Sequence, residues 1–371
     1  MKKTIFKSLI LSFLAILPAK ADIELEKLVL PDGFSIEVYA RIPKARQMSL
    51  GDDGTVYVGT RGDARGRVFA ITDNNGDYKA DDVAVITRGL KQPSGLTYKD
   101  GNLYVADIDT LYRFNDITST MNDSPKAEII TDNLPDKTHH GWKFIEFGPD
   151  GLLYVPIGAP CNICEPEEIF AAIHTMDVNN PDDSLTKVAS GVRNTVGFDW
   201  DPKTNELWFT DNGGDNLGDD MPADELNKIS TPGEHFGYPY IHQGDFQDPQ
   251  FGSEKKASDY TPPAQKLAPH AGATGMAFYK GNMLPEKFKN NIIIAEHGSW
   301  NRTDEAGHTG HMLTLVTVEN GKAIKYEPFI TGFLQNNKAW GRPTDVLELK
   351  DGSLLIADDE AGAVYRMTYM K

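Results

Sequence analysis

Residues 143–158 read KFIEFGPDGLLYVPIG, an alternating apolar run, a turn through Asp150-Gly151, and a second alternating run. Period-two alternation marks a strand with one face toward a core, and Asp-Gly is a strong hairpin signal because such turns need positive φ at their central residues. The pattern recurs along the chain as MSLGDDGTVYVGT (48–60), SGLTYKDGNLYVADI (94–108), VGFDWDPKTNELWFTDNG (196–213), GMAFYKGN…NNIIIAEHG (275–298) and DVLELKDGSLLIADD (345–359). With 143–158 these make six copies. Each is followed by another candidate strand, RVFAIT, TLYRF, FAAIHTMDV, DELNKI, HMLTLVTV and AVYRMTY. Three or four strands per unit, repeated every 50 to 80 residues or so, predict an all-β fold, a six-bladed β-propeller. Two separate β-domains are disfavoured, because no Pro, Gly or Ser linker divides the chain. FSIEVYARI at Phe34 is a spare strand that would complete the last blade and close the ring.

The start of the chain reads differently. Met1-Lys2-Lys3, an apolar run from Ile5 to Leu17 and Ala19-Lys20-Ala21 have the three parts of a cleavable secretory signal, and the apolar run is shorter than the ~20 residues that span a bilayer. Residues 1–21 are therefore expected to be a signal peptide and residues 22–371 the propeller. A Gram-negative periplasm suits such a signal, and secretion is the other possibility. The formal charge of −17 becomes −21 when four lysines and no acid leave with residues 1–21. Such a surface is a poor partner for nucleic acid or anionic membrane, so an anionic ligand would need a local cluster of arginines.

Insertions at roughly 161–170, 212–220, 235–270 and 298–310 should form loops above the blades, where channel ligands bind. His139 and His140 stand just before the inner strand of the third copy, and a histidine there suits a general base. Arg193-Asn194 occupies the same place one copy later. The arginine would offer a fork of donors to a carboxylate or polarised carbonyl. DNGGDNLGDDMPADE (211–225) offers carboxylates and turned carbonyls to a hard cation, or is a solvated acidic loop. DNNGDYKADD (73–82) fails the calcium-loop spacing, because Tyr78 stands where glycine is required, and reads as an exposed hairpin. His270, His297, Arg302 and Arg342 fall in upper loops of the last two copies. Together with Arg193, the two later arginines would make a cationic patch in an acidic protein. Cys161 and Cys164, the only cysteines, are by default a structural disulfide in an exported chain; Glu165 stands where a c-type haem site needs histidine.

These motifs taken together, from LPDGFSIEVYA at Leu30 to DDEAGAVYRM near the end, with PCNIC, GVRN and AEHGSWNR between, resemble the soluble glucose/sorbosone (aldose sugar) dehydrogenases that use pyrroloquinoline quinone (PQQ), in their sorbosone-dehydrogenase-like branch. The resemblance implies a six-bladed propeller that oxidises a sugar-type hydroxyl or hydrated aldehyde with PQQ and calcium. It assigns His140 as base, and Arg193, Asn194 and Arg342 to the cofactor. It matches Gly213 and Gly214 to the carbonyls that hold the bridging calcium, and Glu225 to the acid of a structural calcium. Electrons would leave to a periplasmic quinone or small redox protein. The chain departs from the family in three places: Thr344 replaces a second arginine, Gly213-Gly214 replaces Gly-Pro, and AEHGSWNR lacks the cofactor lysine unless Arg302 substitutes. The rival readings are a calcium-dependent sugar lactonase, which needs converging side-chain carboxylates and amides and no cationic patch, and a propeller that only binds a partner.

Overall fold

The computed structural model describes residues 23–62 and 65–370. The expected signal peptide lies outside the described residues. Six blades follow one another around the ring, each with four antiparallel strands, the third extended by a short fifth strand, Glu234–His235, that pairs parallel; the inner strands are Ala45–Leu50, Gly95–Lys99, Glu146–Phe147, Phe198–Trp200, Ala273–Phe278 and Pro343–Glu348. The six-bladed propeller read from the repeats is the fold. All six of the candidate strands that follow the copies are the third strands of their blades, from Val68–Thr72 in the first to Ala363–Tyr369 in the last. In the third blade only Glu146–Phe147 of the expected inner strand is paired, because residues 137–145 form the loop that carries the histidine pair.

The spare N-terminal strand closes the ring. Phe34–Ala40 pairs antiparallel with Ala363–Tyr369, from Phe34 opposite Tyr369 to Ala40 opposite Val364. Two elements from opposite ends of the chain thus share one sheet, and no blade is left with an open seam.

Alternation along each strand decides which neighbour its side chains meet. Val56 and Val58 pack toward the sixth blade while Tyr57, between them, packs toward the second. In the sixth blade Leu354 and Ile356 face the fifth, and Leu355 and Ala357 face the first. Each of the six blade–blade contacts accordingly has its own apolar cluster. A strand buried on both faces must be apolar at consecutive positions. IIIAE at 292–296 meets that requirement.

Polar groups near the axis are tied between blades. The amide of Met48 donates to Asp345 Oδ2 at 2.7 Å, joining the last inner strand to the first. Gln47 accepts at Oε1 from the amides of Leu96 and Ile145, both at 3.0 Å, and donates to the carbonyl of Ile145 at 2.7 Å. One buried side chain therefore holds three blades together. No helix among the described residues is long and apolar enough to cross a membrane.

Candidate active site

Loops that enter the inner strands and loops that leave the second strands emerge at the same end of the ring. They enclose a cavity of about 910 Å³. Its wall includes His139, His140, Arg193, Asn194, Gly213, His270, His297 and Arg342 from the sequence reading. It also includes Arg46, Arg61, Trp142, Asp215 and Asp359, which that reading did not single out.

His140 sits in a left-handed backbone conformation, φ 51°, a strained state for a non-glycine residue that is held only when its surroundings over-determine it. Gly158 is part of the reason. A Cβ there would lie 2.6 Å from His140 Cβ and 3.3 Å from Asn194 Oδ1, so only glycine lets the third blade bring the histidine against Asn194. The Nδ1 of His140 lies 2.9 Å from the carbonyl of Ala159, which accepts a hydrogen bond only if Nδ1 carries the proton. That tautomer leaves the Nε2 lone pair free. Burial, then the positive charge of Arg193, pushes the imidazole down to about 2. It is therefore neutral at physiological pH, as a base must be before it acts.

Among the described residues, four of the five N–H donors of Arg193 are engaged, leaving one on Nη1. Its guanidinium donates to the carbonyl and side chain of Asn162 at 2.9 and 2.8 Å, to the carbonyl of Asn212 at 3.1 Å and to Asp215 at 2.9 Å. Asn162 lies between Cys161 and Cys164, which form a disulfide. The cysteine loop thus aims the arginine. Backbone amides of Arg193 and Asn194 both donate to the buried carboxylate of Asp211, at 2.8 and 2.6 Å.

Below this wall lies a second void of about 10 Å³, room for one water or small ion. Gly213, Gly214, Glu225, Asp211 and His242 line it, and Gly213 also faces the large cavity. The three residues matched to calcium are therefore brought together, with Asp211 as a fourth that the sequence reading took only as the start of the acidic loop. Burial raises the pKa of both carboxyls; the charge of Asp211 raises that of Glu225 further, and the charge of Asp224 adds to that of Asp211. A cation there would relieve both effects. Among the described residues no group of three or more His, Cys, Asp or Glu side chains is arranged to hold a metal, so backbone carbonyls would have to supply the other ligands.

Arg302 is placed elsewhere. It does not line the cavity; its Nε donates to the carbonyl of Gly307 at 2.6 Å, and Nη1 binds the carbonyl of Asp219 and the carboxylate of Asp220. The acidic insertion between the second and third strands of blade four captures it, so Arg302 does not fill the place of the missing lysine. Thr344 is also withdrawn, donating to the carbonyl of Ala45 at 2.9 Å between blades six and one. Arg342 stays on the cavity wall, held by the carbonyl of Gly298 at 3.3 Å.

Two of the overlooked wall residues had a signal. Arg61 and Asp359 each follow directly on the last residue of a blade's second strand, Thr60 and Asp358, as His297 follows Glu296. Aligning the six copies on that strand end would have found both. Asp359 links two of these positions and Arg46, accepting from Arg46 Nη2 at 2.7 Å and His297 Nε2 at 2.8 Å. Burial opposes its ionisation, yet Arg46 and His297 hold the carboxyl well below the usual range.

Residues 177–366 match the glucose/sorbosone dehydrogenase family model. An uncharacterised protein of Borreliella burgdorferi is 33% identical over 362 residues, covering 93% of this chain and 91% of that one. Among solved structures, the holo PQQ domain of pyranose dehydrogenase from Coprinopsis cinerea aligns with a TM-score of 0.78 at 18% identity, over 92% of this chain and 97% of that one. The PQQ-bound aldose sugar dehydrogenase of Streptomyces coelicolor aligns at 0.63 and 15%, over 92% and 100%. At such identities the structures attest the propeller alone, while the family model spans half the chain. On that match and the Borreliella relative, the chain belongs to the glucose/sorbosone dehydrogenase family of oxidoreductases.

Proposed function

We propose that this protein is a PQQ- and calcium-dependent dehydrogenase that oxidises a sugar-type hydroxyl or hydrated aldehyde in the periplasm, after removal of residues 1–21, and passes the electrons to a quinone or small redox protein. The carrying observation is the convergence on one cavity wall of a neutral, buried His140 with a free Nε2 and of Arg193, Asn194 and Arg342. The residues suit the two groups. A tricarboxylate needs cations, and Arg342 has no carboxylate partner among the described residues. A calcium ion needs oxygen ligands, and the small void offers Asp211, Glu225 and the Gly213-Gly214 backbone.

When bound, PQQ would accept a hydride and calcium would polarise the oxygen on which negative charge develops. His140 takes the hydroxyl proton at Nε2, and its Nδ1 hydrogen bond to Ala159 keeps that lone pair aimed. Arg193 and Asn194 hold a donor surface beside it, fixed before substrate arrives by the Asn162 and Asp211 contacts. The lactonase reading asked for a site without a cationic patch, and four arginines on the wall weigh against it.

The test is spectroscopic and calorimetric. Protein loaded with PQQ and calcium should show bleaching of the oxidised cofactor by an aldose, and chelation or Glu225→Gln should weaken PQQ binding about tenfold or more. Equal PQQ affinity with and without calcium, or no binding in either case, would overturn the reading.

A further inference from the structure

Arg61 lies beside the catalytic histidine and has no assigned task. Its guanidinium stacks on the Trp142 ring, 3.6 Å from the centroid, and the Trp142 ring is in turn 5.9 Å from that of His140. Both side chains line the cavity. The other polar contact of the arginine is a long one, Nε to Gln92 Oε1 at 3.3 Å. Of the four cavity arginines, Arg46 is paired with Asp359 and Arg193 with Asp215. Arg342 and Arg61 pair with no carboxylate among the described residues. Burial, then the nearby Arg46, pulls Arg61 down to about 10, the mark of a cation set in partly dry surroundings beside another cation.

A formal charge of −17 makes the protein as a whole repel anions. A guanidinium held against an aromatic face, desolvated and unpaired, is a receiver for a planar anion. The cofactor side of the cavity already has Arg342 and Arg193. Arg61 stands on the wall that carries the base, where the substrate has to lie for its hydroxyl to reach Nε2.

We infer that the substrate is an acidic sugar, a uronate-type ring whose carboxylate is received by Arg61 over Trp142 while its hydroxyl or hemiacetal carbon faces His140. This rests on the proposed dehydrogenase reading for its chemistry, but the recognition can be measured without turnover. The same carboxylate chemistry could also come from the cofactor, and the two sources are separable by experiment.

Methyl β-D-glucuronide and methyl β-D-glucoside differ at the carboxylate and are blocked at the oxidisable carbon. Each would be titrated calorimetrically into the protein with and without PQQ and calcium. Tighter binding of the glucuronide by about tenfold or more is expected, with the preference lost in Arg61→Gln and partly kept in Arg61→Lys. PQQ affinity should be unchanged in both variants. Equal binding of the two glycosides by the unmodified protein overturns the inference, and needs no variant to fold. A loss of PQQ affinity in Arg61→Gln also overturns it, making Arg61 a cofactor ligand. Failure of PQQ to bind at all removes the dehydrogenase reading instead, and leaves the glycoside preference to be read in the cofactor-free protein.

Discussion

Arg193 Nη2 lies 2.9 Å from Asp215 Oδ2, and only 4% of the arginine side chain is exposed. The arginine expected to meet the cofactor is thus neutralised beforehand by an acid from the loop between the second and third strands of its own blade. Asp215 is itself fixed, accepting from Asn301 at 2.6 Å and donating its amide to Asn162 at 2.8 Å.

Asp215→Asn keeps the shape and removes the charge, leaving a buried guanidinium uncompensated. Loss of one partner of a buried pair costs about 3–5 kcal/mol. The variant should therefore melt lower than the unmodified protein, and PQQ, an anion, should restore more stability to it than to the unmodified protein. Thermal unfolding with and without PQQ reads both effects. Identical melting of the two ligand-free proteins would show that the pair is not held in solution.

His140→Ala should lower turnover by ~10²-fold or more while leaving the fold and PQQ affinity near normal. The imidazole, pushed down to about 2, stays unprotonated in the free enzyme from neutral pH down through pH 5. An acid limb in kcat/KM with a midpoint between pH 5 and 7 would therefore belong to another group. If that limb disappears in a residually active His140→Gln variant, the depressed pKa is refuted.

Arg302→Ala should leave PQQ affinity within about twofold and loosen the contact between the 219–220 and 302–307 segments. Arg342→Ala should weaken PQQ affinity by roughly 2–5 kcal/mol if its carboxylate contact is buried. A comparable loss from Arg302→Ala would mean that the loop rearranges to deliver it.

Ring closure depends on Phe34, whose ring packs 5.4, 5.3 and 5.0 Å from those of Phe288, Phe329 and Tyr369. Phe34→Ala should cost about 3 kcal/mol. Because the strand ties both ends of the chain, the loss should appear as one cooperative unfolding transition at lower denaturant. A separate early transition with the rest unaffected would argue that the closing strand is an independent unit.

The fold was readable because each blade needs the same thing, strands apolar on both faces and turns with positive φ, and so repeats its pattern. The closing strand was readable because Phe34–Ala40 had the alternation but no hairpin partner nearby. His140, Arg193, Asn194 and Arg342 were singled out through their place before inner strands, and all four line the cavity. Arg302 was misplaced because charge alone does not say which way a loop turns, and the competing acids Asp219 and Asp220 are remote in sequence. Arg61 and Arg46 were missed because each gains its meaning from a partner far along the chain, Trp142 and Asp359. Glu225 was matched by resemblance, but its closeness to Asp211 comes from pairing across adjacent strands, where the two residues stand directly opposite.

His174 offers a test of the electrostatics away from the cavity. It lies on the third strand of blade three, opposite Val155 and Lys187, 4% exposed and with Nδ1 unpartnered. Burial, then the charge of Lys187, pulls its pKa down to about 4 from 6.5. Above pH 6.5 the ring is neutral whether the chain is folded or not. Between about 6.5 and 4 the unfolded chain takes up a proton that the folded chain refuses, so stability falls with pH by up to about 1.4 kcal/mol per unit. His174→Leu removes this one contribution and leaves every other titrating group in place. The variant should equal the unmodified protein within about 1 kcal/mol at pH 8 and exceed it at pH 5, with the gap widening as pH drops. Denaturant unfolding at a series of pH values gives the difference directly, and a difference that does not change with pH would show that His174 is protonated in the fold or reached by water.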